Sequence, residues 1–151
     1  MTQKMLRGVG MLLVVFVALQ LVPVTRGNPP VVSDMPTIPE VKAVLQRACY
    51  DCHSHETVWP SYARVAPISW FIAHDVREGR NELNFSAWGQ YNARQQAKKR
   101  QESWEKIAAG TMPPWSYTII HPEARLSAAD LSLLRAWAHE TTDVRHSLGN
   151  Q

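Results

Sequence analysis

Cysteine is scarce in this chain of 151 residues, which contains only Cys49 and Cys52. Two cysteines cannot form the multi-bridge framework of small disulfide-stapled domains. The sequence also lacks the alternation of apolar and polar residues that is typical of strands, and it has no internal repeat or low-complexity tract. These absences, with helical periodicity elsewhere, predict an all-α fold, and the length suggests one domain.

The chain after the N-terminal stretch also has no excess of positive or negative charge. The formal net charge is +3, but Lys4, Arg7 and Arg26 all lie in the first 26 residues. The rest of the chain carries 13 basic and 13 acidic residues. A near-neutral domain does not offer the basic surface that phosphate backbones require, so we expect no nucleic-acid partner.

The longest apolar run, GVGMLLVVFVALQLVPV from Gly8 to Val24, follows Lys4 and Arg7 and precedes a polar, proline-rich stretch. This order is typical of a secretory signal or a membrane anchor. No A-x-A-like cleavage site follows, so we favour an uncleaved anchor over residues 1–26. Basic residues on the amino side predict a single-pass protein of the bacterial inner membrane, with the remaining chain in the periplasm or on the outer membrane face.

After the anchor we expect an extended linker over residues 27–37, a helical domain over 38–145 and a tail over 146–151. Apolar spacing predicts about four helices in the domain. The first begins at a capping pattern of Thr37 with Glu40 and runs into Cys49, and a later one starts at Pro67 and stops at Gly79. Two more are predicted in NARQQAKKRQESWEKIAAG, with Ser86 as a possible upstream cap, and in SAADLSLLRAWAHE, with Ser127 and Asp130 as a capping pair.

The segment ACYDCHSHE places Cys49, Cys52 and His53 in a C-x-x-C-H motif, the attachment pattern of haem c. A spacing of two residues puts both thiols on one side of a helical turn, at the separation of the two haem vinyl groups with which they form thioethers. The adjacent His53 then directs its imidazole at the iron as the proximal ligand. This reading predicts one covalent haem c.

Three other readings of the cysteine pair remain open. A thioredoxin-like redox pair uses the same spacing but follows a strand, which this sequence does not predict. A zinc site needs a further pair of ligands, and the other histidines show no paired spacing. A disulfide between Cys49 and Cys52 would close a loop too small to add much stability.

The sixth iron ligand is predicted to be Met112, in the segment GTMPPWSY, where two prolines stiffen the backbone around the thioether. His74, between apolar neighbours on the second predicted helix, is the weaker distal alternative. His121 is weaker still, and His55 lies too close to His53 in the chain to reach the opposite haem face.

Further residues are candidates for the haem surroundings. The second ring nitrogen of His53 needs an acceptor, and a backbone carbonyl near Ala66 or Pro67 is a plausible one. Arg64 or Tyr117 could bind a propionate. Five tryptophans could line the porphyrin: Trp59, Trp70, Trp104, Trp115 and Trp137.

Two long strings, CYDCHSHETVWPSYARVAPISWFIAHDVREGRNELNFSAW and GTMPPWSYTIIHPEARLSAADLSLLRAWA, resemble the bacterial haem-binding domain family of membrane-tethered monohaem c-type cytochromes. The resemblance covers about Asn28 to Glu140. It implies a small cytochrome c-like helical domain with covalent haem at Cys49 and Cys52. An MPP loop before a final helix is similar to monohaem cytochromes c, in which such a methionine is the distal ligand.

The expected function is electron transfer by an iron with two axial ligands, outside the cytoplasmic membrane, with an unidentified redox partner. On this view the protein is an electron carrier and not an enzyme. The alternative is a peroxidase-like haem enzyme or a gas or redox sensor with a displaceable distal ligand, in which His74 could act as acid or base. A haem-bearing subunit of a larger complex is a third possibility.

Overall fold

The structure, a computed structural model, describes residues 3–140, so the end of the predicted domain and the predicted tail 146–151 lie outside the described residues. The all-α prediction is confirmed: within this range the β-structure amounts to a single bridge between Ser33 and Ala87. The described chain forms seven α-helices: α1 Gln3–Gln20, α2 Pro39–Ala48, α3 Tyr50–His53, α4 Ile68–Glu82, α5 Ala93–Ala108, α6 Trp115–Ile120 and α7 Ala128–Ala138. Short 3-10 turns occupy Ser61–Arg64, Trp88–Gln90 and Pro122–Ala124.

Helix α1 carries Lys4 and Arg7 in its first turns and is apolar on every face from Gly8 to Leu19, and none of its residues is buried. Its 18 residues span about 27 Å, close to the thickness of a bilayer's hydrocarbon core. Length and hydropathy suit a membrane-spanning helix, and a signal sequence meets the same criteria.

The four predicted domain helices correspond to α2, α4, α5 and α7, while the short α3 and α6 were not predicted. The capping pattern of Thr37 with Glu40 was wrong, because the residue that precedes α2 is Ile38, which makes no side-chain cap bond. Pro39 occupies the first turn, where its fixed φ favours a helix and its missing N–H costs nothing. The apolar face of α2 is buried as its spacing predicts, and the helix ends at Cys49.

The predicted end of α4 and the possible cap at Ser86 were also wrong. Helix α4 continues through Gly79 to Glu82, because a helical glycine costs only about 1 kcal/mol and tertiary contacts offset it. Helix α5 is capped by Asn92, which exchanges bonds with Gln95, whereas Ser86 lies upstream and accepts the N–H of His55. The predicted end of α5 is correct, since Gly110 follows it with a φ of 68°, in the left-handed region that favours glycine.

The core lies between α2, α5 and α7, with Leu45, Leu134 and Trp88 almost fully buried. A series of aromatic contacts connects this core to the cysteine motif. Phe85 stacks on Tyr50 at 5.0 Å and on Trp88 at 6.1 Å, and its ring meets His53 edge-on at 6.5 Å. The motif is therefore connected to the buried core of the domain through Phe85.

The segment predicted as a linker is extended and lies along the domain. The N–H groups of Val32 and Ser33 both donate to the Ser86 carbonyl, at 2.9 and 3.0 Å, and Trp88 N–H donates to the Ser33 carbonyl at 2.9 Å. Met35 enters the core with 3% of its surface exposed. These contacts hold residues 32–35 on the domain surface.

Helix α7 begins with a capping box, as predicted from Ser127 and Asp130. Burial alone would raise the pKa of Asp130, but hydrogen bonds from Ser127 and the Arg47 guanidinium outweigh it and lower that pKa. A lowered folded-state pKa means that the charged carboxylate stabilises the fold at neutral pH. This contribution disappears as the pH falls through the folded-state pKa.

We expect Asp130→Asn to lower the free energy of unfolding by about 1 kcal/mol at pH 7, the usual size of a cap contribution. The difference in free energy of unfolding between this variant and the wild type should shrink at a pH below the usual pKa range of aspartate. Urea unfolding at pH 7 and pH 3 tests this. Ser132→Ala, an exposed change on the same helix, is the matched control and should change stability by under about 0.5 kcal/mol.

Candidate functional site

The cysteine motif lies at the junction of α2 and α3. Cys49 separates the two helices, and the N–H groups of Cys52 and His53 donate to its carbonyl at 3.2 and 2.9 Å. Cys49 precedes this single helical turn and Cys52 lies within it, so the two cysteines are about one turn apart. Both are free thiols, so the structure contains no disulfide between them.

Burial sets the protonation state of the two thiols. It raises the pKa of Cys49 to about 12, with a further contribution from the neighbouring Cys52. It also raises the pKa of Cys52 to about 11, with Asp51 and Asp75 adding to the effect. Thiol-exchange cysteines rely on thiolates favoured by a lowered pKa, so the surroundings of this pair disfavour the redox-pair reading. Among the residues that the structure describes, no group of three His, Cys, Asp or Glu side chains could hold a metal ion, which disfavours the zinc reading.

His53 is held by backbone carbonyls on α4 and just after it. Its Nδ1–H donates to the Gly79 carbonyl at 2.7 Å, with the Leu83 carbonyl 3.1 Å away. This leaves the Nε2 lone pair free for a metal. Burial lowers the pKa of His53, so the ring is neutral, which is the metal-binding form. A carbonyl that orients the ring and strengthens its basicity is typical of histidine ligands.

The predicted carbonyl partner of His53, near Ala66 or Pro67, was wrong. The backbone of Ala66 faces α1 instead, where its N–H donates to the Gln20 side-chain oxygen at 2.9 Å. Helix α4 crosses the motif near its own C-terminal end, so the carbonyl comes from Gly79.

Gly79 is required by this crossing. A Cβ placed on Gly79 would lie 2.6 Å from the carbonyl oxygen of Cys52 and 3.1 Å from its carbonyl carbon. Only a residue without a side chain lets α4 approach the motif so closely. The sequence does signal this position, because glycine in the middle of an amphipathic helical pattern usually has a packing or functional reason.

Arg80, the next residue, fixes the chain that leaves the motif. Its guanidinium donates to the Ser54 carbonyl at 2.7 Å, to the Thr57 hydroxyl at 2.9 Å and to the Asn28 side chain at 3.0 Å. Arg80 therefore ties α4 to both the motif and the extended segment before α2. Nothing in the local sequence pattern indicated this role.

Helix α6 is tied directly to the motif. The Tyr117 hydroxyl donates to the Asp51 carboxylate at 2.6 Å, so this candidate propionate partner is already engaged. Met112 lies in the loop just before α6, where its N–H and that of Thr111 reach the Lys106 carbonyl at 3.3 and 3.0 Å. The Met112 loop is thus fixed to the end of α5 on one side and leads into the motif-bound α6 on the other.

The three other histidines considered as iron ligands, His55, His74 and His121, make their side-chain contacts elsewhere. His74 is exposed and accepts a bond from Arg77 at 2.9 Å. His55 donates to the Pro30 carbonyl at 2.8 Å. His121 stacks on Tyr117 at 4.3 Å and bonds to the Tyr62 hydroxyl at 2.8 Å. None of these contacts involves His53 or either cysteine.

The five tryptophans play different parts. Trp137 is buried in the core and Trp104 packs against it, so both are structural. Trp59 donates to the side chain of Asn28 at 3.2 Å. Trp70 has a buried ring nitrogen without an acceptor among the residues that the structure describes, and Trp115 is 76% exposed. Trp70 therefore has an unsatisfied ring nitrogen, and Trp115 an exposed ring, that a cofactor could use.

Several large apolar side chains around α6 are uncovered. Trp115, Ile119 and Ile120 are each more than half exposed, and Met112 is 41% exposed. An apolar patch of this kind on a small domain usually marks a binding surface. Most of these side chains belong to α6, the helix that Tyr117 ties to the motif. Two free thiols, an oriented neutral imidazole and uncovered apolar surface together fit a flat, apolar, iron-containing group.

Comparison with known proteins agrees with this geometry. The family of haem-binding domains matches residues 14–140. The chain belongs to this haem-binding domain family. The match spans the motif, the Met112 loop and α7, and it supports a haem cofactor for the domain. No curated protein and no solved structure matches the chain.

Proposed function

We propose that this haem-binding domain is a monohaem c-type cytochrome that transfers electrons. Cys49 and Cys52 would hold the haem through thioethers, His53 would be its proximal ligand and Met112 its distal ligand. The haem supplies an iron that cycles between the ferric and ferrous states. The protein's part is to fix the ligands, limit water access and set the potential.

The bond from His53 Nδ1 to the Gly79 carbonyl carries this proposal. It fixes the ring against the C-terminal part of α4 and leaves Nε2 available. The two cysteines lie one helical turn apart, and each would hold the haem by a thioether formed by net addition of its S–H group across one vinyl group. No oxidant is needed for this addition.

Met112 is proposed as the distal ligand because its loop is anchored at both ends. The Lys106 carbonyl fixes the loop's start, and the Tyr117–Asp51 bond ties the following helix to the motif. A thioether ligand has a weak donor sulfur and raises the reduction potential of the iron. His74 is a weaker candidate, since it is exposed and bonded to Arg77.

We expect Met112→Ala to remove the weak long-wavelength sulfur-to-iron absorption band of the ferric protein. The reduction potential should fall by on the order of 100 mV, because axial ligands set it over a wide range. Absorption spectra and redox titration test this, with Met35→Leu, a change of a methionine buried in the core, as the control. If the wild type lacks this band and both proteins give the same low-spin spectrum, another residue is the distal ligand, and His74→Ala would then be made.

The proposed location is the outer face of the bacterial inner membrane. Helix α1 has the length, apolar surface and flanking Lys4 and Arg7 of a single-pass anchor that leaves its amino end in the cytoplasm. Haem c is attached on that outer side of the membrane, which agrees with this orientation. The anchor would keep an electron carrier close to membrane oxidoreductases and to its unidentified redox partner.

A haem enzyme or sensor is the second candidate, and one cluster favours it. His121 Nδ1–H donates to Glu123 at 3.1 Å while its Nε2 accepts from the Tyr62 hydroxyl, an arrangement suited to proton transfer. The cluster reaches the motif through Tyr117, which stacks on His121 and bonds to Asp51. Rapid carbon monoxide binding by the ferrous protein would favour this candidate, whereas slow or absent binding favours electron transfer.

A further inference from the structure

The C-terminal end of α1 contacts the haem domain at one defined place. The Gln20 side chain accepts the Ala66 N–H at 2.9 Å and donates to the Ala66 carbonyl at 3.4 Å. Arg26, just beyond the helix, donates to the Ala63 carbonyl at 3.1 Å. The segment 63–66 therefore lies against the end of α1, where a membrane-spanning helix would leave the hydrocarbon core.

Residues in this segment and at the start of α4 expose large apolar side chains. Val65 is 42% exposed, Ile68 49% and Phe71 67%. Ile68 and Phe71 are three residues apart in α4 and share one helix face. Arg64, directly before them, is exposed and could reach lipid phosphates.

The same face of α4 changes character along the helix. Ile68 and Phe71 occupy its first turns, while Asp75, Glu78 and Glu82 continue the same face and are all exposed. This face of α4 is apolar near the end of α1 and acidic farther from it. Such a pattern is typical of a helix whose first turn enters the membrane interface. Carboxylates favour water over the interface, which limits the contact to that turn.

We propose that Val65, Ile68 and Phe71 dock the haem domain on the lipid bilayer that holds α1. The inference rests on the proposed membrane anchoring. Helix α1 spans about 27 Å, slightly less than a hydrocarbon core of about 30 Å, so the chain after Gln20 is drawn toward the interface. Docking would fix the orientation of the haem domain relative to membrane-bound redox partners.

The test is site-specific photo-cross-linking of the full chain in lipid nanodiscs, with p-benzoylphenylalanine at position 71 in place of Phe71. The matched control carries the same probe at Ile38, which is also about half exposed but precedes α2. We expect lipid adducts in the mass spectrum for position 71 and few for position 38. Adding Val65→Ser and Ile68→Ser to the position-71 chain should reduce the lipid adduct several-fold.

Other outcomes would overturn the docking proposal. A haem adduct at position 71 would mean that this patch covers the cofactor, and a cross-linked dimer would mean that it covers a second copy of the chain. Equal lipid yields at positions 71 and 38 would exclude a specific contact. Flotation with vesicles separates the two proposals: a chain that does not float contradicts anchoring and docking together, and one that floats without the adduct contradicts docking alone.

Discussion

Replacing both Cys49 and Cys52 by serine should abolish covalent haem attachment. Serine keeps the size and polarity of the side chains but cannot form a thioether, so haem should be removed completely by acidified acetone. Haem staining after denaturing electrophoresis should fall to background. Single replacements should retain one thioether and leave a shifted reduced-haem absorption band, since one vinyl group stays unsaturated.

Met112→Ala is the control for this experiment, because it should lose the distal bond but keep the haem attached. Haem that resists extraction from the double serine variant would contradict the C-x-x-C-H reading. Such haem would be attached covalently through other residues, whereas wild-type haem that acidified acetone extracts would indicate noncovalent binding, which membership of the haem-binding domain family permits.

Gly79→Ala should destabilise the domain and disturb the proximal histidine. Alanine normally stabilises a helix interior by about 1 kcal/mol relative to glycine. Here its Cβ would lie 2.6 Å from the Cys52 carbonyl oxygen, so α4 or α3 must shift. Because overpacking against a rigid backbone costs about 1–3 kcal/mol, we expect a net loss of stability. The same shift would lengthen the His53–Gly79 bond of 2.7 Å and move the ring from its position.

Two measurements test the Gly79 prediction. Denaturant unfolding reports the loss of stability, and the ferric absorption spectrum reports any high-spin iron caused by a displaced His53. Gly27→Ala is the control, since a Cβ there meets nothing within 4 Å. A Gly79→Ala protein as stable as wild type, with an unchanged spectrum, would show that α4 does not fix the histidine as we infer.

The local sequence determined the helical class, the four longer domain helices and the candidate attachment motif. Each of these depends on residues only a few positions apart. The spacing of Cys49, Cys52 and His53 is set within one helical turn, and the capping box of Ser127 with Asp130 is likewise local. Helix boundaries were less well predicted, because packing allowed α4 to pass Gly79 and Pro39 set the start of α2.

The tertiary structure decided how the motif is supported. The carbonyl that orients His53 belongs to Gly79, 26 residues away, and the bond that brings α6 to the motif joins Asp51 to Tyr117 across 66 residues. Periodicity and spacing report which face of one element is buried, but not which other element covers it or at what crossing point. The sequence by itself therefore determined which groups could hold a haem, while only the packing of α4 and α6 against α3 decided how those groups are held.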